Sequence, residues 1–484
     1  MKHPNILLLY TDQQRWDALG ANGNPDIQTP NLDRLAAEGV NLDRFFVQNA
    51  VCMPSRVSML TGQYPATLGI VRNGVPVPEG TMTVAHLLRN YGYTSANIGK
   101  LHFVPHANRD HRDPHPSYGF DHLEIADEPG CYEDAYRAWV RRLAPDQLSN
   151  PNIYATRDGA DGTGQPDRIS VGLPPATEVW QKMMGIDDAI RHPEQRFPKR
   201  PIPFAGRSGL THSAFVAEQT MEFLEAQRGS PFFCVAGFYS PHSPWVAPQE
   251  FIDLYDPDRL SLPEFPEEID ARRSVEAYSD RELRLARQGY YAMVSEVDHH
   301  VGRILNRLDD LGLRQTTIVL FTSDHGEWLG EHLKYGKGYP AHDCISRVPM
   351  IIRWPDGIRA PGRTVHAMVE AVDVLPTLLQ CVGIPVPYSL QGRSFLPLLQ
   401  GQNDSGRTSA LTEMDGWKTL RLDSTRYVVH EDGREMLYDL EEDPGAYHDV
   451  AGEAAYAGAL DQARREMLRR LLERERPNPR IWPY

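Results

Sequence analysis

The chain has 484 residues, with 50 Lys and Arg against 65 Asp and Glu and a formal net charge of −15. That acidic balance excludes a nucleic-acid binder working by broad phosphate neutralisation, so any anionic ligand must be captured in a local pocket. With 41% hydrophobic and 24% charged residues the composition is that of an ordinary globular protein rather than a collagen, a coiled coil or a disordered tail, and the length suffices for a large core or for two or three domains.

Short apolar runs alternate with amphipathic ones, the pattern of a parallel sheet covered by helices on both faces. Ile6 to Leu9 reads as the first strand, followed by Asp12 and Gln13, and NLDRLAAEG as the next helix. Cys52 lies just ahead of a helix that starts near Ser55, MTVAHLLRNYG is another helix, and Ser95 to Ile98 is a strand followed by Lys100 and His102. From Ile125 to Arg207 the pattern dissolves into Pro, Gly, Asp and Asn, a long excursion over the crevice that could select substrate. A helix from Thr211 to Gln227 leads to the strand Phe232 to Gly237 and then His242; the long helix Glu282 to Leu311 leads to Ile318 to Phe321 and then Asp324 and His325. Leu283, Ala286, Tyr290, Met293, Val297, Val301, Ile304 and Leu308 form one stripe on that helix and read as core. Met350 to Ile352 is the last strand of this series, and after about Gly401 the runs TRYVVH and EMLYDL around EDGR predict antiparallel hairpins. The expected organisation is therefore one domain over residues 1–400 and a small C-terminal subdomain over 401–484.

In open parallel sheets, ligands bind beyond the carboxyl ends of the strands. Asp12, Lys100, His102, His242, Asp324 and His325 all follow strand ends and should converge on one crevice. Five cysteines, at 52, 131, 234, 344 and 381, are too few and too scattered for a disulfide framework, which fits a reduced compartment. MKHPNILLLYTDQQ lacks the length and cleavage site of a signal peptide, and no run approaches the roughly 18 apolar residues of a membrane span. A cytoplasmic protein without membrane attachment is expected. The aromatic, Pro-rich tail PNPRIWPY suits docking on a second copy in a homo-oligomer or on its own core equally well.

The most informative segment is Cys52-Met53-Pro54-Ser55-Arg56, followed by LTGQYP. A cysteine before a helix is ordinarily a small buried side chain. Here it sits where backbone N–H groups and the helix dipole favour negative charge, and Arg56 adds a cation able to bridge an oxyanion. The segment resembles the signature of the type I sulfatases of the alkaline phosphatase superfamily, in which a formylglycine-generating enzyme oxidises the cysteine of a Cys-x-Pro-x-Arg motif to an aldehyde. The family's other blocks follow in order: NILLLYTDQQRWDALG, TPNLDRLAAEGV, GYTSANIGKLH, SPHSPW, TSDHGEWLGEH and YDLEEDPGAYHDV, from near residue 5 to near residue 450. The resemblance implies an alkaline-phosphatase-like fold, a large mostly parallel sheet flanked by helices with a small C-terminal subdomain built on an antiparallel sheet.

The resemblance also implies one divalent metal held by Asp12, Asp324 and His325 beside residue 52, with Gln13 as a neutral ligand; alone, each would read as a turn or cap residue. The most familiar pattern has a second Asp after the first and an Asn after the later one, where this chain has Gln13 and His325. One carboxylate fewer and one imidazole more shifts preference from calcium toward manganese or another transition ion. Asp-Gln with Asp-His is similar to the choline sulfatase and phosphonate monoester hydrolase branches as well. Lys100 and His102, two apart in an extended segment, would point to one side and meet one anion, although the spacing equally suits a solvated loop. In sulfatases this Lys-x-His block contacts sulfate, whereas the phosphonate branch carries uncharged hydroxyl residues there. Asn73 and Lys337 match further anion-contacting positions.

The function implied is hydrolysis of an aryl or alkyl sulfate monoester. A hydroxyl of the hydrated aldehyde at residue 52 attacks sulfur, with Asp324 helping to take its proton. Arg56, Lys100 and Lys337 hold charge on the transferring group. His242 with Lys337 protonates the departing alcohol, and His102 deprotonates the second hydroxyl so that sulfate leaves. A phosphonate monoester or phosphodiester hydrolase with the same machinery is the nearer alternative. An anion-binding protein whose Cys52 stays a thiol is the more distant one. His106, His111, His115 and His122 fit no compact ligand set and read as loop residues, and His212, His299 and His300 as surface or structural ones.

Overall fold

A computed structural model describes residues 3–105, 114–129, 134–148, 199–273, 278–402 and 406–475. The run NILLLYT is buried at every position and forms β1 (Asn5–Thr11). A strand covered on both faces needs no polar alternation. Ile6, Leu8 and Tyr10 enter the core on one side of the sheet, and Leu7 and Leu9 the core on the other.

Seven strands join it: β2 (Val40–Leu42), β3 (Thr94–Gly99), β4 (His122–Ile125), β5 (Phe232–Gly237), β6 (Thr317–Ser323), β7 (Met350–Arg353) and β8 (Arg363–Val365). Their order is β8-β2-β7-β6-β1-β5-β3-β4. Only β7 runs against its neighbours; the other pairings are parallel. The expected mostly parallel sheet is thus present, and each of the anticipated strands lies in it. Leu8 stands opposite both Val235 and Leu320, and Thr11 opposite Ser323, so the polar residues after β1, β5 and β6 leave the sheet at the same end.

Helices α1 (Pro30–Glu38), α2 (Cys52–Thr61), α3 (His212–Ala226) and α4 (Asp280–Asp310) include the long segments expected from periodicity. Helix α4 begins in a capping box: the Ser279 hydroxyl accepts from the Glu282 N–H, and the Glu282 carboxylate accepts from the Ser279 N–H at 2.9 Å. Its stripe from Leu283 to Leu308 is buried throughout, as a core stripe should be. Among the described residues no helix is long and apolar enough to cross a membrane. Most of the expected excursion, residues 149–198, lies outside the described residues, as do Cys131, His106, His111 and the tail PNPRIWPY.

Toward the C-terminus, β9 (Ala410–Met414), β10 (Trp417–Arg421), β11 (Thr425–His430) and β12 (Glu435–Asp439) make an antiparallel four-stranded meander. The hairpins were expected; the helix α5 (Ala457–Glu473) that packs with them was not. Leu460, Ala463, Met467 and Arg470 recur at helical spacing on its buried face. Leu411, Leu420, Tyr427 and Leu437 share one apolar cluster with Tyr64 and Val372 of the larger part. A buried ion pair joins the two parts: Arg470 lies 2.7 Å from Glu370, which also takes Arg407 at 3.1 Å and the N–H of Leu411 at 2.7 Å. Glu370→Ala would leave two buried guanidiniums short of their carboxylate, and should lower unfolding stability by about 3–5 kcal/mol in denaturant titration. Asp461→Ala, which breaks an exposed pair with Arg465, should change little; equal midpoints for the two variants would contradict this reading.

Candidate active site

Three parallel strands end side by side, and their first polar residues form the floor of the site. Asp12 follows β1 and is fully buried, with Oδ2 2.5 Å from the Lys100 ammonium. Gln13 takes a left-handed conformation at φ 72°, which a non-glycine residue adopts only when held there. It is held on both sides: its N–H donates to Asp324 at 3.0 Å, and its carbonyl accepts from the Tyr290 hydroxyl at 2.7 Å. Tyr290 belongs to the α4 stripe, so this core residue also fixes the turn after β1.

Asp324 follows β6, with Oδ2 accepting from Arg56 Nε at 2.7 Å. Arg56 is buried on α2, its NH1 donating to the Lys100 carbonyl at 3.0 Å and its NH2 to the Thr11 carbonyl at 3.2 Å. The guanidinium therefore ties the ends of β1, β3 and β6 together rather than standing as a free cation. The Ser55 hydroxyl adds a bond to the Asp324 carbonyl at 2.5 Å, which fixes the start of α2 against the same loop.

Cys52 opens α2, with Sγ 3.7 Å from Asp12 Oδ1, 3.3 Å from His325 Nε2 and 2.6 Å from Lys337 Nζ. Burial and the nearby Asp12 carboxylate push its thiol up to about 11, so an unmodified cysteine here is a poor nucleophile near neutral pH. Asn73, which is exposed, accepts the Met53 N–H at 3.1 Å and so caps the first turn of α2.

Lys337 Nζ also lies 3.0 Å from His242 Nε2. His242 Nδ1 is 2.5 Å from the Ser243 carbonyl, so Nδ1 carries the proton and Nε2 accepts from the ammonium. Burial and Lys337 hold His242 well below the ordinary imidazole range. Lys337 is raised: burial works against its charge, but Cys52 and Asp12 outweigh it.

The Lys-x-His block differs from expectation in one respect. His102 has φ 56°, so the segment is turned, not extended. The cause is Asp127, whose Oδ1 accepts from the N–H groups of both Leu101 and His102 at 2.8 Å. Just before it, Gly99 sits at φ 87°, where a Cβ would lie 2.1 Å from the Gly237 carbonyl; only glycine lets the chain leave β3 here and deliver Lys100. Lys100 and His102 are both buried.

The residues present fit a divalent cation. Ligand atoms of Asp12, Cys52, Asp324 and His325 lie within 4.8 Å of one another, the one such cluster among the described residues. His325 Nδ1 is 2.8 Å from the Gly326 carbonyl, which leaves Nε2 as a lone pair 3.3 Å from Cys52 Sγ, 3.5 Å from Asp12 Oδ1 and 3.6 Å from Asp324 Oδ1. Lone pairs facing carboxylates with no proton between them call for a cation. Gln13 adds a buried Oε1 without a partner, while its Nε2 donates to Glu327. Glu327 also accepts from the Leu329 N–H at 3.1 Å and from Gly336 N–H, so it anchors the loop that carries Lys337. Asp127, Glu327 and Tyr290 were not anticipated as contributors. Described His115 and His122 bond locally, to the Pro116 carbonyl and to Glu124, and His300 is buried. His212 is buried too, with Nε2 2.9 Å from the Ala126 carbonyl.

The Sulfatase family model matches residues 4–384, and a second, described as N-sulphoglucosamine sulphohydrolase, C-terminal, matches residues 330–474. The chain is 28% identical to an arylsulfatase of Clostridium perfringens over 98% of its own length and 95% of that protein's. It is equally 28% identical to the multifunctional alkaline phosphatase superfamily protein PehA of Trinickia caryophylli, over 98% and 97% of the two chains. Among solved structures, the phosphonate monoester hydrolase of Agrobacterium radiobacter superposes with a TM-score of 0.79 at 26% identity, covering 97% of this chain and 96% of that one.

Proposed function

Because the chain belongs to the sulfatase family, we propose that it is a sulfuric ester hydrolase that cleaves sulfate monoesters at residue 52. The observation that carries this reading is the pairing of Lys337 with both Cys52 Sγ and His242 Nε2, 2.6 and 3.0 Å away, beside the Asp12-Asp324-His325 cluster. One cation therefore touches the nucleophile position and the candidate acid together. In this proposal Cys52 is converted by a maturation enzyme to formylglycine, whose hydrated aldehyde carries two hydroxyls on Cβ, one of them in the place Sγ now occupies. One hydroxyl attacks sulfur, and deprotonation of the other expels sulfate. A divalent cation held by Asp12, Gln13, Asp324 and His325 would supply Lewis acidity to the nucleophile and the sulfuryl oxygens. With an imidazole and an amide among its donors, the set favours manganese or another transition ion over calcium.

The other residues act by position and charge. Lys100 and Lys337 hold the developing charge on the sulfuryl oxygens. His242 with Lys337 protonates the departing alcohol: the transferable proton is on the Lys337 ammonium, which donates to His242 Nε2 and is held in place by it. His102 takes the proton of the second hydroxyl. Arg56 orients Asp324 and the strand ends, and Asn73 steadies the first turn of α2. The protein is placed in the cytoplasm, where the five cysteines stay reduced.

Phosphonate monoesters form a second substrate class, favoured by Gln13 and His325 and by the likeness to the Agrobacterium radiobacter enzyme. The reading is tested by the mass of the peptide containing residue 52. Across preparations made with and without a formylglycine-generating enzyme, the aryl sulfatase rate should rise in proportion to the aldehyde fraction. A preparation holding only thiol and hydrolysing at the full rate would sink the reading; thiol throughout in the native host would favour an anion-binding protein.

A further inference from the structure

The side chain of Glu327 joins two parts of the active site without belonging to the reacting cluster. It is fully buried, where a carboxylate is tolerated only if its oxygens meet donors. Oε1 accepts from the Leu329 N–H at 3.1 Å and from the Gly336 N–H, and Oε2 accepts from Gln13 Nε2. The backbone beneath it is pinned, because Arg15 NH1 donates to the carbonyls of Glu327 at 3.0 Å and of Trp328 at 3.2 Å.

The first part is Gln13. Its N–H and carbonyl are engaged by Asp324 and the Tyr290 hydroxyl, so its backbone is fixed and only the amide can turn. One end of that amide accepts and the other donates, and a cation takes only the oxygen. A carboxylate offers no donor, so Glu327 draws the NH2 to itself and leaves Oε1, buried and without a protein partner, to the cation. The second part is the loop that carries Lys337. Glu327 takes the N–H of Gly336, the residue before Lys337, while the Gly336 carbonyl accepts the Trp328 N–H at 2.9 Å, so both polar backbone groups at the base of the loop are held. From there Lys337 Nζ reaches Cys52 Sγ at 2.6 Å and His242 Nε2 at 3.0 Å.

We propose that Glu327 is a positioning residue that makes Gln13 an oxygen ligand and sets Lys337 beside residue 52, so that one carboxylate ties the metal site to the proton donor. This rests on the metal-assisted sulfatase reading and adds to it a residue outside the donor set. Glu327→Gln separates the two arms. The new amide keeps its oxygen on the Leu329 and Gly336 N–H groups, which only an acceptor can meet, and turns its NH2 toward Gln13. Gln13 must then turn over to accept, and it presents its own NH2 where the cation needs an oxygen.

The test titrates Mn²⁺ alone into the metal-stripped full chain, a measurement that needs no substrate. Glu327→Gln should weaken binding by about 10–100-fold, the range for loss of an outer partner of a metal ligand. Adding Gln13→Glu should restore the affinity to within about threefold of the parent, since the carboxylate placed there accepts from the new amide with one oxygen and offers the other to the cation. A loss of fold alone would not be repaired in this way. Affinity in Glu327→Gln equal to the parent's, or a double variant that binds no tighter than Glu327→Gln, overturns the control of Gln13 by Glu327. The lysine arm is read at saturating Mn²⁺ on aldehyde-bearing enzyme. Glu327→Ala, which releases Gly336 as well, should lower the ratio of kcat on an alkyl sulfate to kcat on nitrophenyl sulfate by more than about tenfold, because only the alkoxide depends on the Lys337 proton. Glu327→Gln, which keeps the Gly336 contact, should hold the parental ratio. An unchanged ratio in Glu327→Ala overturns the lysine arm. If no sulfate ester is hydrolysed, the sulfatase reading falls by itself, and the Mn²⁺ titration still decides the role of Glu327.

Discussion

Cys52→Ser is expected to release one equivalent of phenol from an aryl sulfate and then to stall, with the sulfuryl group on the serine. A single hydroxyl at residue 52 stands where Sγ now lies, 2.6 Å from Lys337 and 3.7 Å from Asp12, so it is placed to attack sulfur. It has no second hydroxyl on the same carbon whose deprotonation could expel sulfate, and the sulfated enzyme must await slow attack by water. Steady turnover should lie at least about 10³-fold below the parent, the scale on which loss of one member of a concerted catalytic set is felt. Mass spectrometry of the peptide should show the added sulfuryl group. Sustained turnover at the parental rate, with no adduct, would contradict the two-hydroxyl route.

Lys100→Ala and His102→Ala are each expected to cost more than about 10²-fold in kcat/KM on sulfate esters, the range for a lost charge stabiliser or acid-base group. The two should differ in kind. Lys100 forms a buried ion pair with Asp12 at 2.5 Å, so its removal also leaves that carboxylate short of a partner and alters how the metal is held. His102 is tied to the scaffold through its backbone, at Asp127, and its side chain can be removed without disturbing that contact. Metal content should therefore change in the Lys100 variant and remain unchanged in the His102 variant. Unchanged kinetics in both would remove the block from the site.

The parts of the fold that were legible in the sequence are those where burial is continuous. NILLLYT and FFCVAG are buried at every position, and such runs bounded by polar residues have few alternatives to a central strand. The crevice was legible for the same reason: strand ends that bear Asp12, His242 and Asp324 point to one edge once the strands are parallel. What escaped is the support beneath these residues. Asp127 lies 25 residues beyond His102 and Tyr290 lies 277 beyond Gln13, and no periodicity tells which distant donor or acceptor a buried group meets. Tyr290 read as core because it is core, and its hydroxyl has a second task that a hydropathy pattern cannot express. Glu327 had a visible signal, an acidic residue three positions after Asp324 within TSDHGE, but only its contacts with Gln13 and Gly336 give it meaning. The turned geometry of Lys100-Leu101-His102 likewise depends on a carboxylate from elsewhere. Helix α5 carried helical spacing of Leu460, Ala463 and Met467 that the nearby hairpin signals overshadowed.

The most direct test of the central claim is the ratio of kcat/KM for an aryl sulfate to that for a matched aryl phosphonate monoester, measured on enzyme whose aldehyde and metal contents have been assayed. If Lys100 and His102 face the anion as proposed, the ratio should favour sulfate by more than about tenfold, or about 1.4 kcal/mol of transition-state binding. A ratio favouring the phosphonate by as much would contradict the assignment and make phosphonate esters the substrates for which this site is built.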